Sequence, residues 1–132
     1  MLASGDPATK AVAAVVFDAV GASTRWVSDT AGDATAIKLV RNSWVLAVTD
    51  GVSEALASAL GLGIDPQLFL DAIKGGGLDT PYAHIKGAMM LAGTYPVSFP
   101  AVLAEKDAGL IVDAAAAAGV PLSVAPAVRR DL

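Results

Sequence analysis

The sequence predicts a mainly α-helical protein, a bundle built around one long helix and preceded by a short strand–helix–strand segment. Three observations carry this expectation. The stretch from Thr30 to Gly61 holds no proline, so at roughly 1.5 Å per residue it can form one rod of about 45 Å. Within it Ile37, Val40, Trp44, Val48, Val52, Ala55, Leu56 and Ala59 recur at three- and four-residue spacing, the signature of a helix with a buried stripe. Hydrophobic residues make up 55% of the 132-residue chain, and much of that share is alanine, the strongest helix former.

Taken in order, Met1-Leu2-Ala3 reads as the end of an apolar strand, stopped by Ser4-Gly5. Asp6 then caps a helix, Pro7 takes its first position, and Val12, Val15, Val16, Ala19 and Val20 share one face up to Gly21. Thr24, Trp26 and Val27 form a short alternating segment. Two strands and a helix make no stable sheet alone, so residues 1–29 read as the last unit of a larger α/β domain. Gly61-Leu62-Gly63 ends the long helix. Asp65 caps and Pro66 starts the next, with Leu68, Phe69, Ala72 and Ile73 facing inward until Gly75-Gly76-Gly77 stops it. Thr80 and Pro81 start another, with Met89, Met90 and Leu91 as core filling and His84 as a surface or interhelical hydrogen bonder. Thr94 to Val97 is expected to be extended. Ser98 is expected to cap a helix through Leu103, Leu110, Ile111 and Ala114 to Gly119-Val120-Pro121, and Arg129 to Leu132 reads as the middle of a further amphipathic helix.

Composition excludes several classes of function. Without cysteine there is neither a disulfide framework nor a cysteine metal site, and a single histidine cannot build a multi-histidine centre. A net charge of −4, a pI near 4.7 and no basic cluster larger than Arg129-Arg130 argue against a nucleic-acid surface. Mean hydropathy is high, +0.59, and residues 87–104 carry no charge, yet Pro96 and Pro100 would break a spanning helix. No basic run precedes an apolar core at the amino terminus, so a cytoplasmic protein is expected. Neither glycine cluster has the spacing of a phosphate cradle after a strand.

Two groups of residues bear on chemistry. Lys38 and Asn42 stand four apart on one helical face, continued by Thr49 and Ser53. Spacing alone is met by a solvated face or by a ligand-facing seam. Lys106 and Asp107 are paired charges in an otherwise apolar helix, with Phe99 two turns before Lys106. They fit a solvated corner, or a site where each charge meets a partner.

Gly32, then Lys38, then Asn42, at the head of a long helix that runs to Glu54 and ends near Gly-Ile-Asp, resemble the catalytic segment of the 3-hydroxyisobutyrate dehydrogenase family of β-hydroxyacid dehydrogenases. In that family a glycine pair precedes the lysine and asparagine follows one turn later. Gly32 matches the first glycine, Ala34 replaces the second, and Arg41 stands where a first asparagine is common. The segment FPAVLAEKDAGL, Phe99 to Leu110, is similar to the family's second carboxy-terminal signature. Both occur in the family's order, and the likeness extends from Leu2 to about Pro126.

The resemblance implies a helical bundle of the 6-phosphogluconate dehydrogenase C-terminal-domain-like type, with residues 1–29 as the remnant of a Rossmann NAD(P)-binding domain. Residues 30–132 would form a helical substrate and dimerisation domain, truncated at its end. It implies an NAD(P)-dependent oxidation of a β-hydroxy acid, or reduction of the matching semialdehyde, with Lys38 as general acid/base. Asn42, Phe99 and Asp107 would bind substrate, Lys106 would bind the cofactor, and no residue would bind metal. NAD or NADP would be held mainly by a preceding domain, so the isolated chain is expected not to catalyse. A lysine accepts a proton only when neutral, so such a site needs burial and neighbouring positive charge to disfavour the ammonium. The implied partners are a small hydroxy acid or semialdehyde and a second copy of the chain, not nucleic acid or membrane. Cousins acting on succinic semialdehyde, glyoxylate or tartronate semialdehyde share every residue named. The competing expectation is a non-catalytic helical interaction or dimerisation module that keeps the fold alone.

Overall fold

Asp6 accepts hydrogen bonds from the Ala8 and Thr9 amides and from the Thr9 hydroxyl, and this cap with Pro7 behind it launches α1, Pro7–Val20. The helix is flanked by β1, Leu2–Ala3, and β2, Arg25–Trp26, which pair in parallel with Leu2 opposite Arg25 and Ala3 opposite Trp26. Phe17 meets Trp26 with ring centroids 5.8 Å apart, and the Lys10 ammonium lies 5.4 Å from the Trp26 ring, so α1 is held onto β2. The computed structural model describes residues 1–96 and 98–132. It divides into two compact units, 1–42 and 43–132.

The long helix is continuous: α2 runs Asp33–Gly61. The division between the units falls inside it, and its first turn is tied to the strand–helix–strand unit by the Ala34 amide, which donates to Ser4 Oγ at 3.1 Å. The apolar stripe is only half buried. Val52 and Leu56 are core residues and Val48 packs beside them, whereas Trp44 is 64% exposed and Val40 62%. Periodicity shows that one face is apolar, but burial requires a neighbouring element, and among the described residues Val40 and Trp44 stay mostly exposed.

In the second unit, α3 (Gln67–Ile73) and α4 (Pro81–Ala92) pack on each other, and their core joins Val52, Leu56, Leu70 and Ala83 with Val48, Phe69, Ile73 and Met90 around it. Leu70 rather than Leu68 is the inward residue. Leu68 is 55% exposed, because Phe69, Leu70 and Ile73 form the face that meets α4. Gly87 is where Leu70 lands: a Cβ there would lie 2.9 Å from both Leu70 methyl carbons, so the two helices approach closely through the missing side chain.

Three of the helices end by one chemistry. Gly93, at φ 61°, donates to Met90 O while Thr94 N donates to Met89 O, the paired bonds of a Schellman stop, and Gly63 and Gly119 close α2 and α5 in the same way. Here α5 is Ala101–Ala117, and α6, Val124–Asp131, packs against it; Ala104, Ala108 and Ile111 are buried on one and Ala125 and Val128 on the other.

Pro100, not Ser98, stands at the N-cap of α5, with its carbonyl accepting from the Leu103 and Ala104 amides. Proline biases the residue before it toward extended backbone, which leaves Phe99 outside the helix. The expectation that Phe99 stacks two turns from Lys106 on one helical face is therefore not met. Val97, the last residue of the expected extended link, lies outside the described residues, while Thr94 to Pro96 have no regular structure. Among the described residues no helix is long and apolar enough to cross a membrane, and the uncharged run from Gly87 to Ala104 is interrupted between α4 and α5.

Candidate functional site

The head of α2 is built by four polar contacts. Gly32 has φ +100°, a conformation that L side chains rarely adopt, and its carbonyl accepts from the Thr35 and Ala36 amides. The Ser28 hydroxyl donates to Asp33 Oδ2 at 2.6 Å, and Ser4 Oγ takes the Ala34 amide. The turn into the helix therefore needs glycine at position 32. It fixes the direction in which Thr35, Lys38 and Arg41 leave the helix.

Those three side chains share a groove of about 560 Å³ with Ser23 and Arg25 from the other side. Lys38 is exposed at its wall, so the burial expected of a lysine acid/base is not met among the described residues. Asn42, one turn further on, is half-buried and already partnered. No carboxylate lines the groove, and among the described residues none of Arg25, Lys38 and Arg41 is in an ion pair. Arg41 is visible in the sequence as the residue that replaces an asparagine. Arg25 carries no such signal, because the pairing of β2 with β1 is what brings it there.

In the second unit Lys106 and Asp107 are separated by environment. The Lys106 side chain is 61% exposed and the Asp107 side chain 10%, with 3.6 Å between ammonium and carboxylate. Asp107 has a further partner as well. Lys106 lines a groove of about 400 Å³ with Glu105, Gly109, Asp113 and Arg129, whose guanidinium lies against Gly109 where a Cβ would be 3.5 Å from its carbon. Phe99 is 44% exposed just ahead of α5. Thus the structure groups Lys38 with Asn42 on one helix and Lys106 with Asp107 on another.

Two features bear on a dinucleotide. The amino end of α1 is occupied by the Asp6 carboxylate, whose pKa is held below the usual carboxylate range first by the Thr9 hydroxyl and then by the Thr9 and Ala8 amides. An anion already fills the place where a phosphate would bind. At the glycine triplet, the Gly75 amide donates to Asp79 Oδ2 at 2.7 Å, which depresses the Asp79 pKa first, with the His84 ring at 2.7 Å adding to it. Neither place cradles a pyrophosphate; the groove around Lys38 has no acid in its lining, whereas Lys106 pairs with Asp107 beside Glu105 and Asp113. His84 spends its bond on the turn ahead of its own helix. Among the described residues no group of three or more His, Cys, Asp or Glu side chains is placed to hold a metal ion.

Comparison with known proteins gives the family. Residues 32–131 match the family model described as NAD-binding of NADP-dependent 3-hydroxyisobutyrate dehydrogenase. Among curated proteins, the chain is 27% identical over 106 residues to the chloroplastic glyoxylate/succinic semialdehyde reductase 2 of Arabidopsis thaliana, covering 80% of this chain and 29% of that protein. The fold matches a solved 3-hydroxyisobutyrate dehydrogenase from Salmonella typhimurium with a TM-score of 0.85 at 24% identity, over 96% of this chain and 45% of that one. This chain thus spans less than half the length of either relative. With a match running from the glycine that opens α2 to the last turn of α6, the chain belongs to the NAD-binding domain family of NADP-dependent 3-hydroxyisobutyrate dehydrogenase, whose cofactor is NAD(P).

Proposed function

We propose that the chain is the carboxy-terminal part of an NAD(P)-dependent 3-hydroxyacid dehydrogenase, with Lys38 as its general acid/base. The observation that carries this reading is the placement of Lys38 in an acid-free groove at the glycine-opened head of α2, with Asn42 one turn on. When bound, the nicotinamide supplies or accepts the hydride. In oxidation Lys38 Nζ takes the proton of the substrate hydroxyl, and in reduction it returns that proton to the carbonyl oxygen. Asn42 needs no charge change to orient the lysine or the substrate oxygen through its amide.

The remaining roles rest on the resemblance. Phe99 and Asp107 help shape the substrate pocket, and Lys106 holds the cofactor as a point charge. The substrate is a small hydroxy acid or its semialdehyde, the protein is cytoplasmic, and copies of it associate. The test is turnover of 3-hydroxyisobutyrate and of succinic semialdehyde by the polypeptide that carries this segment together with a dinucleotide-binding domain. Lys38→Ala is expected to lower kcat at least 100-fold, the usual scale of a lost general acid/base, with the cofactor Kd nearly intact. A variant that keeps more than about a tenth of wild-type turnover removes Lys38 from the role, whereas no turnover by the parent polypeptide leaves a helical module that retains only the fold.

A further inference from the structure

The groove at the head of α2 holds three of the chain's nine lysine and arginine residues, in a protein whose net charge is −4, and no acid lines it. Asp33, five residues before Lys38, is turned onto the Ser28 hydroxyl at 2.6 Å. Lys38 and Arg41 are three apart on α2, so their Cβ atoms lie about 5–6 Å apart on neighbouring turns and both side chains reach into the same space. Arg25 enters from β2 on the far wall. Three cations with no carboxylate among them give the groove a positive potential that raises the local concentration of small anions.

We propose that Arg41, supported by Arg25, is the specificity-determining residue for the substrate's carboxylate, holding it while the carbonyl carbon sits at Lys38. This rests on the assignment of Lys38 as acid/base. A guanidinium presents two parallel N–H donors that match the two oxygens of a carboxylate, and it stays charged whatever the state of the neighbouring lysine. The substrate class that fits is a short aldehyde acid with carbonyl and carboxylate at opposite ends of the chain, one end for Lys38 and one for Arg41.

The test compares succinic semialdehyde with butanal, its uncharged counterpart, in the polypeptide that carries this segment with its dinucleotide-binding domain. For Arg41→Ala the ratio of kcat/KM for the acid over the aldehyde is expected to fall about 10- to 100-fold, mostly through KM for the acid, the scale of a lost charge-assisted contact. Arg41→Lys restores only part of the ratio, because the ammonium lacks the fork. Arg41→Gln keeps the bulk and serves where the alanine variant does not fold. In parallel, the Kd for succinate followed by amide chemical shifts is expected to rise by a similar factor. A ratio and a succinate Kd unchanged within about twofold overturn the assignment of Arg41. Loss of both activities in Lys38→Ala beside an unchanged Arg41→Ala ratio sinks this inference alone, whereas an active Lys38→Ala variant sinks the reading beneath it.

Discussion

Adjacent charges can live in different solvents. Lys106 keeps its ammonium in water while Asp107, one residue on, is buried and partnered. If Lys106 holds the cofactor, Lys106→Ala should raise the cofactor Kd about 10-fold with a smaller change in kcat, and titration of NAD(P)H fluorescence would measure it; an unchanged Kd refutes the role. Gly87 makes a packing prediction of the same local kind. Leu70 is 2% exposed and cannot retreat from a new side chain, so Gly87→Val should lower stability by about 1–3 kcal/mol, read from the urea midpoint at constant slope. The sequence named Lys38, Asn42, Lys106 and Asp107, but could not show that Arg25 faces Lys38's groove. A residue brought in by strand pairing leaves no periodic trace on the helix it approaches.

Helices here begin and end on side-chain chemistry that can be read and removed. Thr80 accepts the Ala83 amide at 3.1 Å and opens α4, so Thr80→Ala should cost about 1 kcal/mol, visible as a lower Tm. The turn before it adds a pH dependence whose direction follows from Asp79. Bonds from Gly75 and His84 depress the folded-state pKa, so their stabilisation is complete above the usual carboxylate range and is lost as pH falls through the lower folded value. Acidification should therefore release the Gly75 amide with a midpoint below the ordinary value of 3.8. Following the Gly75 amide shift checks this, and a midpoint at or above that value contradicts it. The glycine stops of α2, α4 and α5 and the Asp6 and Thr80 starts were legible because a cap is a local bargain between neighbours in sequence, whereas α3 starts at Gln67 with Pro66, not Asp65, at its N-cap. The start of α5 was less so: Ser98 has the right chemistry, but Pro100 sets the backbone of Phe99 before the helix can form. Likewise Leu70 displaces Leu68 because the inward face of a two-turn helix depends on where α4 lies.

For the molecule as a whole, the informative surface is apolar. Val12, Val15, Val16 and Val20 on α1 are exposed by 76%, 74%, 58% and 73%, and no residue of that helix is buried. The sequence showed this face, and periodicity promised a neighbour that the described residues do not provide. Aligned valines of this extent exceed the scattered apolar residues of an ordinary surface, and water is expelled from them when two copies meet. The chain by itself should therefore associate as its concentration rises, with sedimentation velocity showing a growing weight-average coefficient. Val12→Glu combined with Val16→Lys places a favourable pair four residues apart on the same face, which keeps α1 helical while making it polar. That double variant should sediment as a single species over the same range with unchanged far-ultraviolet circular dichroism. If its concentration dependence matches the parent's, the valine face is not what brings copies together, and the exposed Trp44 and Val40 on α2 become the next surface to test.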